Sequence, residues 1–231
     1  MAVSSELTAT LVDSMGSDDS IVRAMLVSTK GAESLDVEAT PGRINFLMAN
    51  RHGTPFEHNS MTFFVRAPIF VFREFHRHRI GWSYNEVSGR YKELDDCFYV
   101  PPPHRPLVQE GKPGAYEFVL GTIDQYNDAV VALQDVYTDA YNGYRYLLNK
   151  GVAKEVARAL LPVGIYTEMY ATCNARSLMA FLSLRTRNEG SKFPSYPQWE
   201  IEQVARQMEE AFAQLFPITY VSFVLNGRVA P

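Results

Sequence analysis

Apolar residues recur along the chain with two spacings, which predict two kinds of element. Alternating apolar positions predict short strands, and apolar positions three and four residues apart predict amphipathic helices. The predicted strands are 6–12, 61–65, 98–100 and 166–173. The predicted helices are 18–26 (capped by Asp18 or Asp19), 44–48, 67–79, 116–149, 152–161, 175–184 and 198–216. This order of elements predicts an α+β fold, helix-rich, with a small and mostly antiparallel sheet.

The segment 67–79 fits both kinds of element, and its interpretation decides which polar residues lie together. Its phenylalanines suit a strand, but Pro68 suits the first position of a helix. We favour the helix. It would place Glu74, Arg77 and His78 on one face, since residues three and four apart are neighbours on a helix.

Length and charge limit the classes of protein to consider. A chain of 231 residues, 46% of them hydrophobic, can bury a full core, and we expect one domain over residues 1–231. The net charge of -4 argues against binding nucleic acid or an anionic membrane. No apolar run is long enough to cross a bilayer, and the start of the chain lacks a signal pattern. Two distant cysteines, Cys97 and Cys173, favour a reduced, cytoplasmic setting.

The basic residues are biased toward arginine, with 16 arginines and 6 lysines. Arginine presents a planar, permanently charged fork that suits phosphates, so a small anionic ligand is indicated. Four of the five histidines lie between positions 52 and 78, but they lack a third ligand at zinc spacing. We therefore predict no metal site.

The densest group of polar side chains is the segment 77–90. Its composition leaves two interpretations open. It is either a solvated face neutralised by Glu93, Asp95 and Asp96, or a ligand site supported by neighbouring aromatic rings. Ser88 lacks the Gly-x-Ser-x-Gly context of a nucleophile, and we expect it to anchor a phosphate instead.

A second basic group lies at 174–187. Arg176 would lie near the positive end of the predicted helix 175–184, where a cation is unfavourable unless an anion is near. The chain contains no P-loop and no G-x-G-x-x-G motif after a strand. A nucleotide would therefore have to be held by arginines and helix ends.

The segment 77–90 closely resembles the signature of flavin-dependent thymidylate synthases, R-H-R-x-x-S-x-N-E-x-S-x-R, with one extra residue at 80–82. Three further stretches agree in order: 52–58, 155–162 and 174–185. The resemblance covers about residues 28–200. Two departures are Ala180, at a position that is polar in some relatives, and a longer loop at 186–197.

The resemblance implies a homotetramer with sites shared between subunits, converting dUMP to dTMP with FAD, NADPH and 5,10-methylenetetrahydrofolate. It implies FAD contacts from Ser28, Thr54, Glu57, Arg77, His78, Arg79, Glu86, Asn174 and Arg176. It implies dUMP contacts from Glu74, Arg77, Glu86, Val87, Ser88, Gly89, Arg90, Arg158 and Arg185. Direct catalytic roles would belong to Arg185, Ser88 and His52. Two alternatives remain open from the sequence, a non-catalytic nucleotide-binding module and an RNA-binding domain.

Overall fold

The computed structural model describes residues 1–29, 31–112 and 115–231. Its strands are β1 (Ala2–Ser4), β2 (Thr8–Met15), β3 (Ser60–Pro68), β4 (Trp82–Glu86), β5 (Cys97–Tyr99), β6 (Val108–Lys112), β7 (Ala115–Val119) and β8 (Tyr166–Cys173). Its helices are α1 (Asp18–Val27), α2 (Thr40–Ala49), α3 (Ile69–Phe75), α4 (Ile123–Asn149), α5 (Lys154–Ala157), α6 (Ala175–Arg185), α7 (Trp199–Leu215) and α8 (Pro217–Leu225). The predicted helix-rich α+β class is confirmed.

The chain divides into two compact units that are interleaved in sequence. The first unit consists of Met1–Glu6, Ala67–Phe72 and Val87–Thr167. The second unit consists of Leu7–Arg66, Arg73–Glu86 and Glu168–Pro231. That residues 1–231 work as a single domain stays a prediction.

The second unit contains a four-stranded sheet with the strand order β2-β3-β8-β4. On β3 the side chains of Met61, Phe63 and Val65 are fully buried and alternate with partly exposed ones, which is the period-two pattern of a strand with one covered face. The edge strand β4 pairs antiparallel with β8, from Trp82 opposite Cys173 to Glu86 opposite Met169. The sheet thereby holds part of the basic segment 77–90 in a fixed register.

Helix α1 begins differently from the prediction. Ser17 is its N-cap and forms a capping box with Ser20, so the capping role predicted for Asp18 or Asp19 is wrong. The buried Asp18 carboxylate instead accepts hydrogen bonds from the backbone N–H of Ile218 and Thr219 at 2.9 and 3.0 Å. Asp18 thus caps the start of α8, a helix that the sequence pattern did not predict. The capping prediction fails because Asp18 contacts residues about two hundred positions away, which the periodicity of apolar residues cannot show.

The first unit has its own apolar core, formed by Leu94, Phe98, Tyr137 and Ile165. Phe98 stacks on Tyr137 of α4 with ring centroids 4.6 Å apart. The helix predicted over 116–149 begins only at Ile123, because the preceding segment β7 pairs antiparallel with β6. The predicted helix 152–161 is also shorter, since α5 ends at Ala157 and a 3₁₀ turn, Arg158–Leu160, follows.

Helix α3 is shorter than the predicted helix 67–79. Pro68 ends β3, and the helix stops at Phe75. The hydroxyl of Tyr84 lies 2.9 Å from the carbonyl oxygens of both Phe75 and His78, which replaces helical hydrogen bonding there. The prediction that Glu74, Arg77 and His78 share one helical face is therefore wrong, because the last two lie in the turn after α3.

No helix in the described ranges combines the length and apolar character needed to cross a membrane.

Candidate active site

The C-terminal residue of α6, Arg185, is held by two side chains of the second unit. Its Nη1 donates to Glu74 Oε2 at 2.5 Å, and its Nε donates to His78 Nε2 at 3.0 Å. The Arg185 and Glu74 side chains are 17% and 35% exposed, so the pair is only partly screened by water. Nη2 has only a long contact of 3.5 Å to the Glu74 carbonyl oxygen. The guanidinium is thus oriented, and one of its amino groups can donate to a ligand.

His78 is neutral at physiological pH. Burial, followed by the positive charge of Arg185, lowers its pKa from 6.5 to about 4. Its ring also packs edge-on against Phe181 of α6, at 4.9 Å between centroids. Since Nε2 accepts from Arg185, the proton of the neutral ring is assigned to Nδ1.

An aromatic group supports the turn that carries His78. Trp82 and Tyr84 of β4 stack with ring centroids 5.6 Å apart, and Phe75 stacks on Phe181 at 5.0 Å. Burial raises the pKa of the Tyr84 hydroxyl, which keeps it a hydrogen-bond donor to the turn. The sequence predicts that aromatic residues support this segment, and Tyr84 does so through hydrogen bonding to backbone oxygens.

Two arginines of the same turn, Arg77 and Arg79, are exposed. Within the described part of the chain, neither forms an ion pair through its side chain. If this segment were a solvated face, Glu93, Asp95 and Asp96 would neutralise its arginines. These acids instead form ion pairs with other groups: Glu93 with Arg145, Asp95 with Lys92, and Asp96 with the N-terminal amine of Met1. The basic turn therefore presents uncompensated positive charge, which suits an anionic ligand.

The extra residue at 80–82 is accommodated by a left-handed glycine. Gly81 has φ +69, and a Cβ there would strike the Ser177 hydroxyl. Ser177 donates to the Ile80 carbonyl oxygen at 2.9 Å, and this bond ties the turn to the first turn of α6. The structure thus explains why this position requires glycine.

The N-terminus of α6 carries a second arginine group. Asn174 caps the helix by accepting from the Ser177 N–H at 2.9 Å. Arg176 Nη1 donates to Glu57 at 2.7 Å, and its Nε donates to the Pro231 carbonyl oxygen at 2.6 Å. Glu57 supplies the anion that the sequence required near Arg176. Because Arg176 and Arg185 are nine residues, about 14 Å, apart on one helix, they belong to separate groups.

Gly53 lies directly beneath the Arg176 group. A Cβ at this buried position would collide with the Arg176 guanidinium, so the glycine makes room for it. The 3₁₀ turn Thr54–Glu57 follows immediately and positions Glu57. The sequence motif at 52–58 did not reveal this steric role.

Two other predicted residues lie apart from the Arg185 group in their contacts. Ser28 is exposed at the end of α1 and donates to the Met25 carbonyl oxygen at 3.0 Å. His52 is exposed, with its ring 5.8 Å from that of Phe46. These contacts leave the role of both residues a prediction.

A third group lies in the first unit. Ser88 accepts from the Arg90 N–H at 3.3 Å, and its carbonyl accepts from Tyr91, so Ser88 begins a tight turn. Gly89 is buried, and a Cβ there would meet Arg158 Cδ at 3.2 Å. Arg90 Nε donates to Glu155 at 2.8 Å. The turn therefore places a hydroxyl and two arginines together, a combination that suits a phosphate.

The structure thus gathers most predicted site residues into three groups. It also adds residues that the sequence reasoning missed: Glu155, Ser177 and Gly53. The signal that could have identified Glu155 is its position in the motif 155–162, where this acidic residue lies one helical turn before Arg158.

Val87 packs partly buried against the apolar core of the first unit, and Glu86 ends β4. Among the described residues, no group of three or more histidine, cysteine or acidic side chains is arranged to hold a metal.

Comparisons with known proteins find relatives that match most of the chain. A family model described as "Thymidylate synthase complementing protein" matches residues 10–218. A protein of Streptomyces coelicolor named "Flavin-dependent thymidylate synthase" is 57% identical, covering 98% of this chain and 94% of the relative. One of the same name from Tropheryma whipplei is 51% identical over 98% of this chain and 96% of the relative.

Solved structures give the same result. A UMP/dUMP methylase, PolB, from Streptomyces cacaoi bound with 5-Br dUMP is 50% identical, with a TM-score of 0.95, covering 100% of both chains. The same methylase bound with 5-Br UMP gives a TM-score of 0.94, covering 100% of this chain and 99% of that one. The chain belongs to the thymidylate synthase complementing protein family, that of the flavin-dependent thymidylate synthases.

Proposed function

We propose that this protein is a flavin-dependent thymidylate synthase, with residues 1–231 as one functional domain. It methylates dUMP to dTMP with carbon from 5,10-methylenetetrahydrofolate and electrons from FAD that NADPH reduces. The observation that carries the proposal is the oriented guanidinium of Arg185, held by Glu74 and a neutral His78. The names of the related proteins support the same reaction.

Arg185 is the residue that activates the uracil ring. Uracil C5 is a poor nucleophile, and loss of the N3 proton increases its electron density. A guanidinium at the ring stabilises that negative charge, which is worth about 3 kcal/mol for one well-placed donor. Burial raises the pKa of Cys173, so its thiol does not ionise to attack C6. Electrostatic activation therefore replaces covalent activation.

The residues at the two ends of α6 fit a flavin nucleotide. Arg77 and Arg79 offer uncompensated charge to the pyrophosphate, and the space that Gly53 leaves lets Arg176 lie close to the backbone. The bound FAD would supply the reducing equivalents. The residues that would hold it are Ser28, Thr54, Glu57, Arg77, His78, Arg79, Glu86, Asn174 and Arg176.

The Ser88 turn fits the phosphate of dUMP. Its hydroxyl and the side chains of Arg90 and Arg158 would bind the phosphate, and Gly89 lets the backbone approach. Glu155 orients Arg90 before the ligand arrives. We also assign Glu74, Glu86, Val87 and Arg185 to dUMP binding, in sites that the subunits of the proposed tetramer share, and His52 would orient flavin or folate.

We further propose that the protein works in the cytoplasm as a homotetramer whose subunits share sites. The two free cysteines, Cys97 and Cys173, accord with a reducing compartment. Light scattering tests the assembly: a mass of about four chains agrees with it, whereas an active monomer contradicts it.

An omission series tests the reaction. Purified protein is incubated with dUMP, methylenetetrahydrofolate and NADPH, each omitted in turn, and UMP is offered in a parallel series. The proposal expects a yellow protein that forms dTMP only in the complete mixture and oxidises NADPH faster when dUMP is added. A colourless protein with no dTMP would reject the synthase, and steeply salt-dependent binding of polynucleotides would favour an RNA-binding domain instead.

A further inference from the structure

A buried ion pair lies in the second unit beyond the predicted site. Arg228 follows α8 and is 2% exposed, and its Nη1 donates to Glu209 Oε1 of α7 at 2.6 Å. Arg228 also has φ 57, in the left-handed region that non-glycine residues rarely adopt. A buried charge and an unfavourable backbone conformation both cost free energy, so the surrounding contacts must hold this side chain firmly in place.

The other end of the guanidinium reaches the residue next to Arg185. Arg228 Nη2 donates to Thr186 Oγ1 at 2.6 Å, and Thr186 is fully buried. The Thr186 hydroxyl in turn donates to the Leu182 carbonyl oxygen at 2.7 Å, within α6. The Thr186 carbonyl accepts from Ser195 at 2.9 Å. Hydrogen bonds to Arg228, Leu182 and Ser195 thus hold Thr186 in place at the C-terminal end of α6.

This network is poorly suited to stability alone. Arg228 Nε is buried without a hydrogen-bond partner among the described residues, and Glu209 Oε2 has only a long ion-pair contact, 3.7 Å, with Arg206 Nη1. A packed apolar pair often stabilises a core as well as a buried ion pair does, so a buried ion pair whose hydrogen bonding is incomplete indicates that these side chains must be held in a particular position. The residue whose position it fixes is Thr186, and Arg185 is the adjacent residue.

We propose that Arg228, through Thr186, is a positioning residue for Arg185. The Arg228 guanidinium fixes the last turn of α6. The side chain of Arg185 then projects from the helix in the direction that brings it into contact with Glu74 and His78. Displacing a reacting group by about 1 Å can lower a rate by about a hundredfold, so a modest movement of this turn suffices to affect turnover. The inference rests on the proposed function for its catalytic consequence.

Thr186→Val tests the link while retaining the Arg228–Glu209 ion pair. The variant keeps the shape of the side chain but loses the hydroxyl that joins Arg228 to Leu182. We expect kcat for dTMP formation to fall about tenfold or more, with a smaller change in KM for dUMP. We also expect the pKa of His78, followed by NMR of labelled histidine, to rise from about 4 as Arg185 moves away. Thr186→Ser keeps the hydroxyl and should restore both values.

The matched control is Arg145→Met, which removes the 2.6 Å ion pair with Glu93 in the first unit. It should leave kcat, KM and the pKa of His78 at their wild-type values. Wild-type kcat and an unchanged His78 pKa in Thr186→Val would overturn the positioning role, even if the melting temperature fell. If Thr186→Val does not fold, Arg228→Lys is measured in the same way, because one ammonium cannot reach both partners. If wild-type protein forms no dTMP, the proposed function fails, and the His78 titration still decides the positioning role.

Discussion

Replacing Arg185 by alanine removes the group on which the proposed chemistry depends. The loss of one preorganised donor should raise the barrier by about 3 kcal/mol, which lowers kcat by about a hundredfold or more. The ion pair with Glu74 is only partly buried, so after allowance for solvent screening the free energy of unfolding should fall by about 1 kcal/mol. The protein should therefore fold and bind flavin but form almost no dTMP.

The assay measures dTMP by chromatography in single-turnover and steady-state mixtures, alongside visible absorption of bound flavin. The matched control is Arg187→Ala, which removes a neighbouring arginine whose guanidinium lies over the Tyr196 ring at 5.9 Å. We expect the control to turn over normally. Turnover by Arg185→Ala within a few-fold of wild type would remove Arg185 from the mechanism.

Three further predictions concern the surroundings of this arginine. Gly81→Ala should lower the free energy of unfolding by about 1–3 kcal/mol in chemical denaturation, because φ is +69 and the new methyl would strike Ser177; a neutral result would contradict the left-handed turn. Gly53→Ala should displace Arg176 and weaken flavin binding in a fluorescence titration, and wild-type affinity would count against the steric role of Gly53. His78 has a folded pKa of about 4 against 6.5, so the unfolded chain binds more protons between these values. Stability should consequently fall by about 2 kcal/mol as pH drops from 6.5 to 4, and His78→Gln should flatten that part of the denaturation profile.

Elements with strong local periodicity could be predicted, and those fixed by distant contacts could not. Strand β8 and helix α6 agree closely with the prediction because alternating and helical patterns of apolar residues dominate there. Helix α8 escaped prediction because its first turn is capped by Asp18, about two hundred residues away in sequence. The predicted end of the helix at residue 79 lies beyond the end of α3 at Phe75, because the Tyr84 hydroxyl of β4 contacts the carbonyl oxygens of Phe75 and His78 that a longer helix would use.

The candidate site shows the same division. The resemblance to a known family, carried by the segments 77–90 and 174–185 among others, implied roles for Arg185, His78 and Glu74, and the structure brings these three together. The sequence could not show that His78 is held neutral, because burial and a charge 107 positions away cause that shift. Nor could it reveal Arg228, which lies outside the matched motifs and acts through a buried side chain.

The central claim is that Arg185 binds the uracil ring of dUMP lying against a flavin. A structure of the protein determined with both dUMP and FAD tests it most directly. The account predicts an Arg185 nitrogen within about 3 Å of a uracil oxygen, the phosphate at the Ser88 turn and the flavin at the Arg176 group. A complex in which Arg185 points away from the pyrimidine, with the nucleotides bound at other residues, would contradict it.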